Sequence, residues 1–303
     1  MSKIDILMAT YNGASYIASQ IRSLQNQTLP DWTLWVHDDG STDSTLDIVM
    51  QFADADPRIR VIDDGIRFRD CALNFIHLLK FSDAPYCIFC DQDDIWLENK
   101  LQLMYDAIVA TDNSKPQAVY SNAFIYNPEV PSIGGSATLC RPQTLYDVLF
   151  MNGGIQGCAL MFNDKLREIC RDAPEVVAMH DHLLTLSAIV FGNIAYVDKR
   201  LMLYRRYEGT VTGFTAGSLI DRIKPFFDSS KTVLHGKHNL AIHSFVEKYS
   251  SMISDKDMAV FDDFFRFEQE SRMRRAAHVL IKGYNLYGRR SILAFKMLVR
   301  KLL

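Results

Sequence analysis

The chain has 303 residues, 48% of them hydrophobic and 23% charged, which is the make-up of a globular protein and excludes a disordered or fibrous one. The formal net charge of −3 argues against nucleic acid as the main partner. The start, MSKIDILMATYNG, runs directly into a strand-like segment and carries no signal-peptide pattern. The longest mostly apolar stretch, 183–197, is interrupted by Thr185, Ser187, Gly192 and Asn193, and falls short of the roughly 20 residues of a membrane span. A cytoplasmic protein is expected, with its six scattered cysteines reduced. Cys87 and Cys90 form a CxxC, but no second Cys or His pair stands at zinc spacing, and they read as small core residues of a strand.

In chain order the apolar patterning predicts a strand at 4–9, a helix at 15–25, a strand at 32–36 and a helix at 45–52. A strand at 59–62, a helix at 72–81, a strand at 86–90, a helix at 97–109 and a strand at 118–126 follow. Repeated βα units of this length imply an α/β fold, a mostly parallel sheet flanked by helices. Pro128, Pro131, Gly134, Gly135 and Pro142 predict an irregular segment over 128–142. Order resumes at 157–162, with a helix near 183–190 and strands at 194–197 and 201–204. A helical region is expected from about Ser218, giving a first domain over 1–215 and a C-terminal extension over 216–303. The first of these divides into two halves, about 1–127 and about 128–215.

Parallel sheets bind ligands beyond the C-terminal ends of their strands. Three polar motifs fall at such ends. The sharpest is Asp91-Gln92-Asp93-Asp94, where three carboxylates within four residues repel one another unless a cation or hydrogen-bond donors stabilise them. Asp91 and Asp93, two apart, can point the same way toward Mg²⁺ or Mn²⁺, hard ions suited to carboxylate and diphosphate oxygens. The alternative is a helix N-terminus with acids in its first turn, a role open to Asp94. The second motif is Asp38-Asp39-Gly40-Ser41-Thr42-Asp43, where a carboxylate can accept from a base or ribose and Ser41 or Asp43 can cap the next helix. The third, Thr10-Tyr11-Asn12-Gly13, offers a turn, a hydroxyl and an aromatic face.

The segments MATYNG (8–13), QTLPDWTLWVHDDGSTD (27–43) and FCDQDDIW (89–96) together resemble the inverting glycosyltransferases of family 2, which have the GT-A fold. IQGCALMFN (155–163), MHDHLLTL (179–186) and LMLYRRYEGTVTG (201–213) extend the resemblance toward the rhamnosyltransferase-like branch that builds bacterial surface polysaccharides. The resemblance spans about residues 3 to 213 and implies that 1–215 is the catalytic domain, with a nucleotide-sugar half, about 1–127, and an acceptor half, about 128–215. It implies that Tyr11 and Asp39 contact base and ribose with Thr10 and Asn12 close by, and that Asp38 supports the loop. It implies further that Asp91 and Asp93 hold a divalent metal and the donor diphosphate, and that Asp181 is the catalytic base beside His180 and His182. The resemblance also implies a dTDP- or UDP-sugar donor, with rhamnose as the leading sugar, and a lipid-linked or growing glycan as acceptor. Where family members often carry a histidine, this chain has Tyr207 after Arg205 and Arg206, so an arginine, Arg205 first, is expected to meet the diphosphate. Arg67 and Arg69 are further phosphate candidates.

From Ser271 onward the chain carries nine Lys or Arg and no Asp or Glu, interleaved with apolar residues. Such a segment is expected either to lie on an anionic membrane surface, at the inner face of the cytoplasmic membrane, or to pack on the protein. Gly283 and Gly288 are expected to break it. A dehydrogenase is disfavoured because no G-x-G-x-x-G follows the first strand, and a nucleotidyltransferase because MATYNG lacks a glycine-rich basic loop. A non-catalytic glycan-binding or scaffold protein on the same fold is the remaining alternative.

Overall fold

In a computed structural model of the chain, residues 3–127, 132–138, 140–151, 153–206 and 231–303 are described. Tyr207, the expected domain boundary at 215/216 and the expected helix start at Ser218 lie outside them. The first half follows the expected βα alternation: β1 (Ile4–Thr10), α1 (Ile17–Gln25), β2 (Trp32–Asp38), α2 (Thr45–Ala55), β3 (Ile59–Ile62), α3 (Cys71–Leu78) and β4 (Tyr86–Cys90). A short β5 (Ile95–Trp96) precedes α4 (Lys100–Val109) and the long β6 (Gln117–Asn127). Then come β7 (Ser132–Gly134), α5 (Leu145–Val148), β8 (Leu160–Asn163), α6 (Asp164–Arg171), α7 (His180–Phe191) and β9 (Asn193–Arg205).

The strands form one sheet in the order β3-β2-β1-β4-β8-β6-β9-β5, with β7 on the flank of β6. β3, β2, β1 and β4 are parallel, as are β6 and β9, whereas β8 enters antiparallel between β4 and β6. Register decides where chemistry can gather: Thr10 pairs with Asp38 and Met8 with Cys90, so the three polar motifs emerge side by side at one sheet edge.

Alternation along β1 sends Ile4, Ile6 and Met8 to a core shared with α1, α2 and α4, and Leu7 to the opposite core. That second core also contains α3, α5, α6, α7 and four C-terminal helices: α8 (Gly236–Tyr249), α9 (Asp255–Phe265), α10 (Arg272–Lys282) and α11 (Arg290–Val299). Phe150 meets Phe264 and Phe267 edge-on at 5.1 and 5.2 Å, so the C-terminal helices share an aromatic core with the sheet's lower face. Gly283, at φ 97°, ends α10 in the left-handed conformation that glycine adopts without a Cβ penalty, so the basic tail is two helices. Cys87 and Cys90 are fully buried core residues. Among the described residues no helix is long and apolar enough to cross a membrane.

Candidate active site

The strand ends open into a cleft of about 1230 Å³, lined among others by Thr10, Tyr11, Asn12, Asp39, Arg67, Arg69, Asp91, Asp93, Asp181 and Arg205. Asp38 lies off this wall, and its contacts explain why. Its carboxylate accepts from Thr10 Oγ1 at 2.9 Å, from the Gly40 and Ser41 amides at 3.0 and 2.8 Å, and from Ser41 Oγ at 2.5 Å. Asp38 is the buried knot of the loop, and Gly40 at φ 87° lets the chain turn around it. Asp39, next along, accepts from the Phe68 amide at 2.5 Å and faces the cleft.

The Thr10–Gly13 loop is held from both sides. Asn12, in the left-handed region at φ 48°, accepts from the Thr42 amide at 2.8 Å, and its own amide donates to Ser41 Oγ at 2.8 Å. Gln92 makes a paired contact with the Tyr11 backbone, accepting from its amide at 3.0 Å and donating to its carbonyl at 2.9 Å. Gly13 makes room for this contact, because a Cβ there would stand 2.2 Å from Gln92 Oε1 and displace that side chain. The Tyr11 ring is left 55% exposed at the cleft mouth, a free aromatic face.

The acids after β4 do not start a helix, contrary to the alternative for Asp94: β5 intervenes and α4 begins only at Lys100. Asp94 is buried, its Oδ1 accepts from the Arg205 amide at 3.0 Å, and its Oδ2 has no hydrogen-bond partner. Asp91, Asp94 and Cys158 bring their side-chain donor atoms within 4.8 Å of one another, while Asp93 faces the cleft outside that trio. Burial first, and then Asp93, raises Asp91 to about 6. Burial and the neighbouring Asp91 and Asp93 raise Asp94 further, and burial with Asp91 and Asp94 keeps the Cys158 thiol protonated. The fully buried Lys100 lies behind them, donating to the Cys158 carbonyl at 2.7 Å and standing 3.6 Å over the Trp96 ring. Burial lowers its own pKa to about 8. Burial and mutual repulsion thus favour protonated groups in the trio, and carboxylate oxygens crowded in this way fit a hard divalent cation better than a soft one.

These raised values set a sign for stability. Asp91 binds a proton more tightly folded, at about 6, than at its ordinary 3.8, so between those values the folded state holds more protons than the unfolded one. The contribution of Asp91 and Asp94 therefore destabilises the metal-free protein at neutral pH and is relieved as pH falls. Thermal melts without divalent metal are expected to show a gain from pH 7 to 5 for wild type relative to Asp91→Asn/Asp94→Asn, which lacks it.

Arg205 is more buried than a free phosphate clamp. Its Nε donates to the Asp93 carbonyl at 2.6 Å, and its guanidinium stacks over Tyr16 and Tyr126 at 4.4 and 5.1 Å. Arg67 and Arg69 also line the cleft.

Asp181 sits in the first turn of α7, which its extended neighbour Met179 precedes. His180 is buried between Phe75 and Phe89, with ring centroids at 4.0 and 5.0 Å, and burial depresses it to about 3, so it is neutral. His182 points away, its ring tilted against that of His238 at 4.2 Å, with Nε2 3.3 Å from the Val148 carbonyl. Gly157 leaves room for His180, since a Cβ would come 2.3 Å from its Nε2. Gly157→Ala is expected to cost about 1–3 kcal/mol in urea denaturation by overpacking this ring. Sequence reasoning missed Gln92, Lys100, Cys158 and the distant Tyr287 of the cleft wall. The DQDD and IQGC motifs themselves held the signal for Gln92 and Cys158.

An α/β sheet with nucleotide-type loops and an acidic cluster at its strand ends is the architecture of a GT-A glycosyltransferase. Residues 5–170 match the model for Glycosyl transferase family 2, and the chain belongs to that family and is a glycosyltransferase. It is 30% identical over 221 residues to the dTDP-rhamnosyl transferase RfbG of Shigella flexneri, covering 68% of this chain and 73% of that one. It is 31% identical over 196 residues to the UDP-Glc:alpha-D-GlcNAc-diphosphoundecaprenol beta-1,3-glucosyltransferase WfgD of Escherichia coli, covering 64% and 73% of the two chains. In fold it resembles S. aureus TarS 1-349 in complex with UDP, at TM-score 0.55 and 16% identity over 97% of this chain and 89% of that one. A mannosyltransferase from Pyrobaculum calidifontis, in complex with GDP-Man and Mn²⁺, matches at TM-score 0.50 and 14% identity over 97% and 86%.

Proposed function

We propose that the protein transfers a sugar, rhamnose in the first instance, with inversion from a dTDP- or UDP-linked donor to a hydroxyl of a lipid-linked or growing surface polysaccharide. The observation that carries this reading is the convergence of Tyr11, Asp39, Asp91, Asp93 and Asp181 on one cleft. The rhamnose assignment rests on the likeness to RfbG, and the lipid-linked acceptor on the likeness to WfgD, whose name specifies a diphosphoundecaprenol acceptor.

In this mechanism Tyr11 stacks on the base, Asp39 accepts from the base or ribose, and the Thr10 and Asn12 segments close around them. Asp38 fixes that loop. Asp91 and Asp93 would hold Mn²⁺ or Mg²⁺, with the buried Asp94 packed behind them. The cation, when bound, offsets charge on the departing diphosphate. Arg205 holds the Asp93 backbone in place and lends positive charge to the same side. The acceptor hydroxyl attacks the anomeric carbon as Asp181 takes its proton; the new glycosidic bond forms on one face while the bond to the diphosphate breaks on the other. Residues 1–215 are the catalytic unit in this reading and 216–303 an extension, on a cytoplasmic, peripherally bound protein.

The test is a thermal-shift series of nucleotide diphosphates and nucleotide sugars with and without Mn²⁺ or Mg²⁺. A ligand specific to the native state adds about 2.7 kcal/mol at a hundredfold excess over its Kd. A metal-dependent shift confined to one nucleotide family supports the reading and narrows the donor. A folded protein that responds to no nucleotide under either metal overturns it.

A further inference from the structure

The C-terminal helices carry exposed apolar residues beside their buried faces. On α10, Ala276 and Val279 are buried in the core, as the inner face requires. Met273, Ala277, Leu280 and Ile281 recur at i, i+4, i+7 and i+8, so they form a second stripe on one side of the helix. At 100° per residue that stripe is centred about 115° from the midpoint of Ala276 and Val279, so it flanks the buried face. Met273 is 78% and Ile281 79% exposed, which a helix facing only water has no reason to maintain. The packed neighbour α11 repeats the arrangement, with Leu293 and Met297 inside and Phe295 and Leu298 outside. Around the stripes stand the exposed Arg272, Arg274, Arg289 and Arg290, none paired with a carboxylate among the described residues. No acid lies anywhere in 271–303. Tyr287, on the connection between the two helices, reaches the wall of the catalytic cleft.

We infer that the outer face of α10 and α11 is the surface that seats the enzyme on an anionic lipid bilayer. Met273, Leu280 and Ile281 enter the acyl boundary, and the four arginines contact headgroup phosphates. A protein partner is less suited, because apolar residues ringed by cations with no acid match an anionic, laterally fluid surface better than a patterned one. Through Tyr287 the same face borders the cleft, so docking brings the cleft wall toward lipid-carried acceptors. This rests on the lipid-linked acceptor proposed above; the docking itself does not.

The experiment is co-sedimentation of the full chain with vesicles of phosphatidylcholine alone or mixed with phosphatidylglycerol. Wild type is expected to pellet with the anionic vesicles and to be released by salt. Met273→Asp/Ile281→Asp is expected to bind at least tenfold more weakly, and Arg272→Gln and Arg274→Gln roughly fivefold more weakly each. Thermal melts and the nucleotide-dependent shift of each variant should match wild type, which separates failure of docking from failure of the transferase reading. Wild type that stays in solution with anionic vesicles overturns the inference. So does undiminished vesicle binding by the double aspartate variant, or a dimer that this variant dissolves while vesicles capture nothing.

Discussion

Asp181→Asn lowers sugar transfer by about 10²–10⁴-fold while leaving nucleotide binding where it was. The expectation follows from the placement of the side chain. Asp181 sits in the first turn of α7, where the helix dipole favours negative charge, and it faces the cleft. Its neighbour His180 is wedged between Phe75 and Phe89, is neutral, and fixes the start of the helix without competing for the proton. Asparagine keeps the shape and the helix start but cannot accept that proton. Turnover with saturating donor, together with the nucleotide-induced thermal shift, checks both halves. An equal loss of donor binding would move Asp181 from the reacting hydroxyl to the donor.

The second large effect is expected at the acidic cluster and takes a different route. Asp91→Asn and Asp93→Asn should each reduce turnover by about 10²–10³-fold and abolish the metal-dependent part of the nucleotide shift. Asp91 bears the cost of its own burial, with a pKa near 6, so its replacement should also make metal-free melts less sensitive to pH. A variant that keeps full metal dependence would remove that aspartate from the cation's coordination.

The strands and helices that build the nucleotide half were legible because each is a short, strongly patterned run ending in a turn motif; 59–62 and 86–90 match strand for strand. Two expected strands, 194–197 and 201–204, proved to be one, β9. The polar Asp198-Lys199-Arg200 between them breaks the apolar alternation, and the pairing with β6 slips around Asn122 at the same place. Helix α6 was missed although Asn163 caps it by accepting from the Leu166 amide, because its face is set by a few apolar residues among charges. At the site, local motifs identified the residues that line the cleft but not those that support it. Lys100 looks like an ordinary helix-start lysine, and Tyr287 lies far along the chain; only the closure of the sheet and the packing of the C-terminal helices bring them in. The basic tail was read as amphipathic with one outcome or the other. Its inner residues pack in the core, while Met273, Leu280 and Ile281 stay exposed.

Gln92 joins two loops that sequence places 81 residues apart, gripping the Tyr11 amide and carbonyl together above the side-chain-free Gly13. The aromatic platform and the acidic cluster are thereby one rigid jaw and not two fingers that must find each other around a ligand. A nucleotide diphosphate long enough to reach from one to the other would meet a gauge of fixed span. The association should then be fast and carry little ordering cost from the protein, and selection among donors would fall to the sugar end, where the cleft is bounded by other segments.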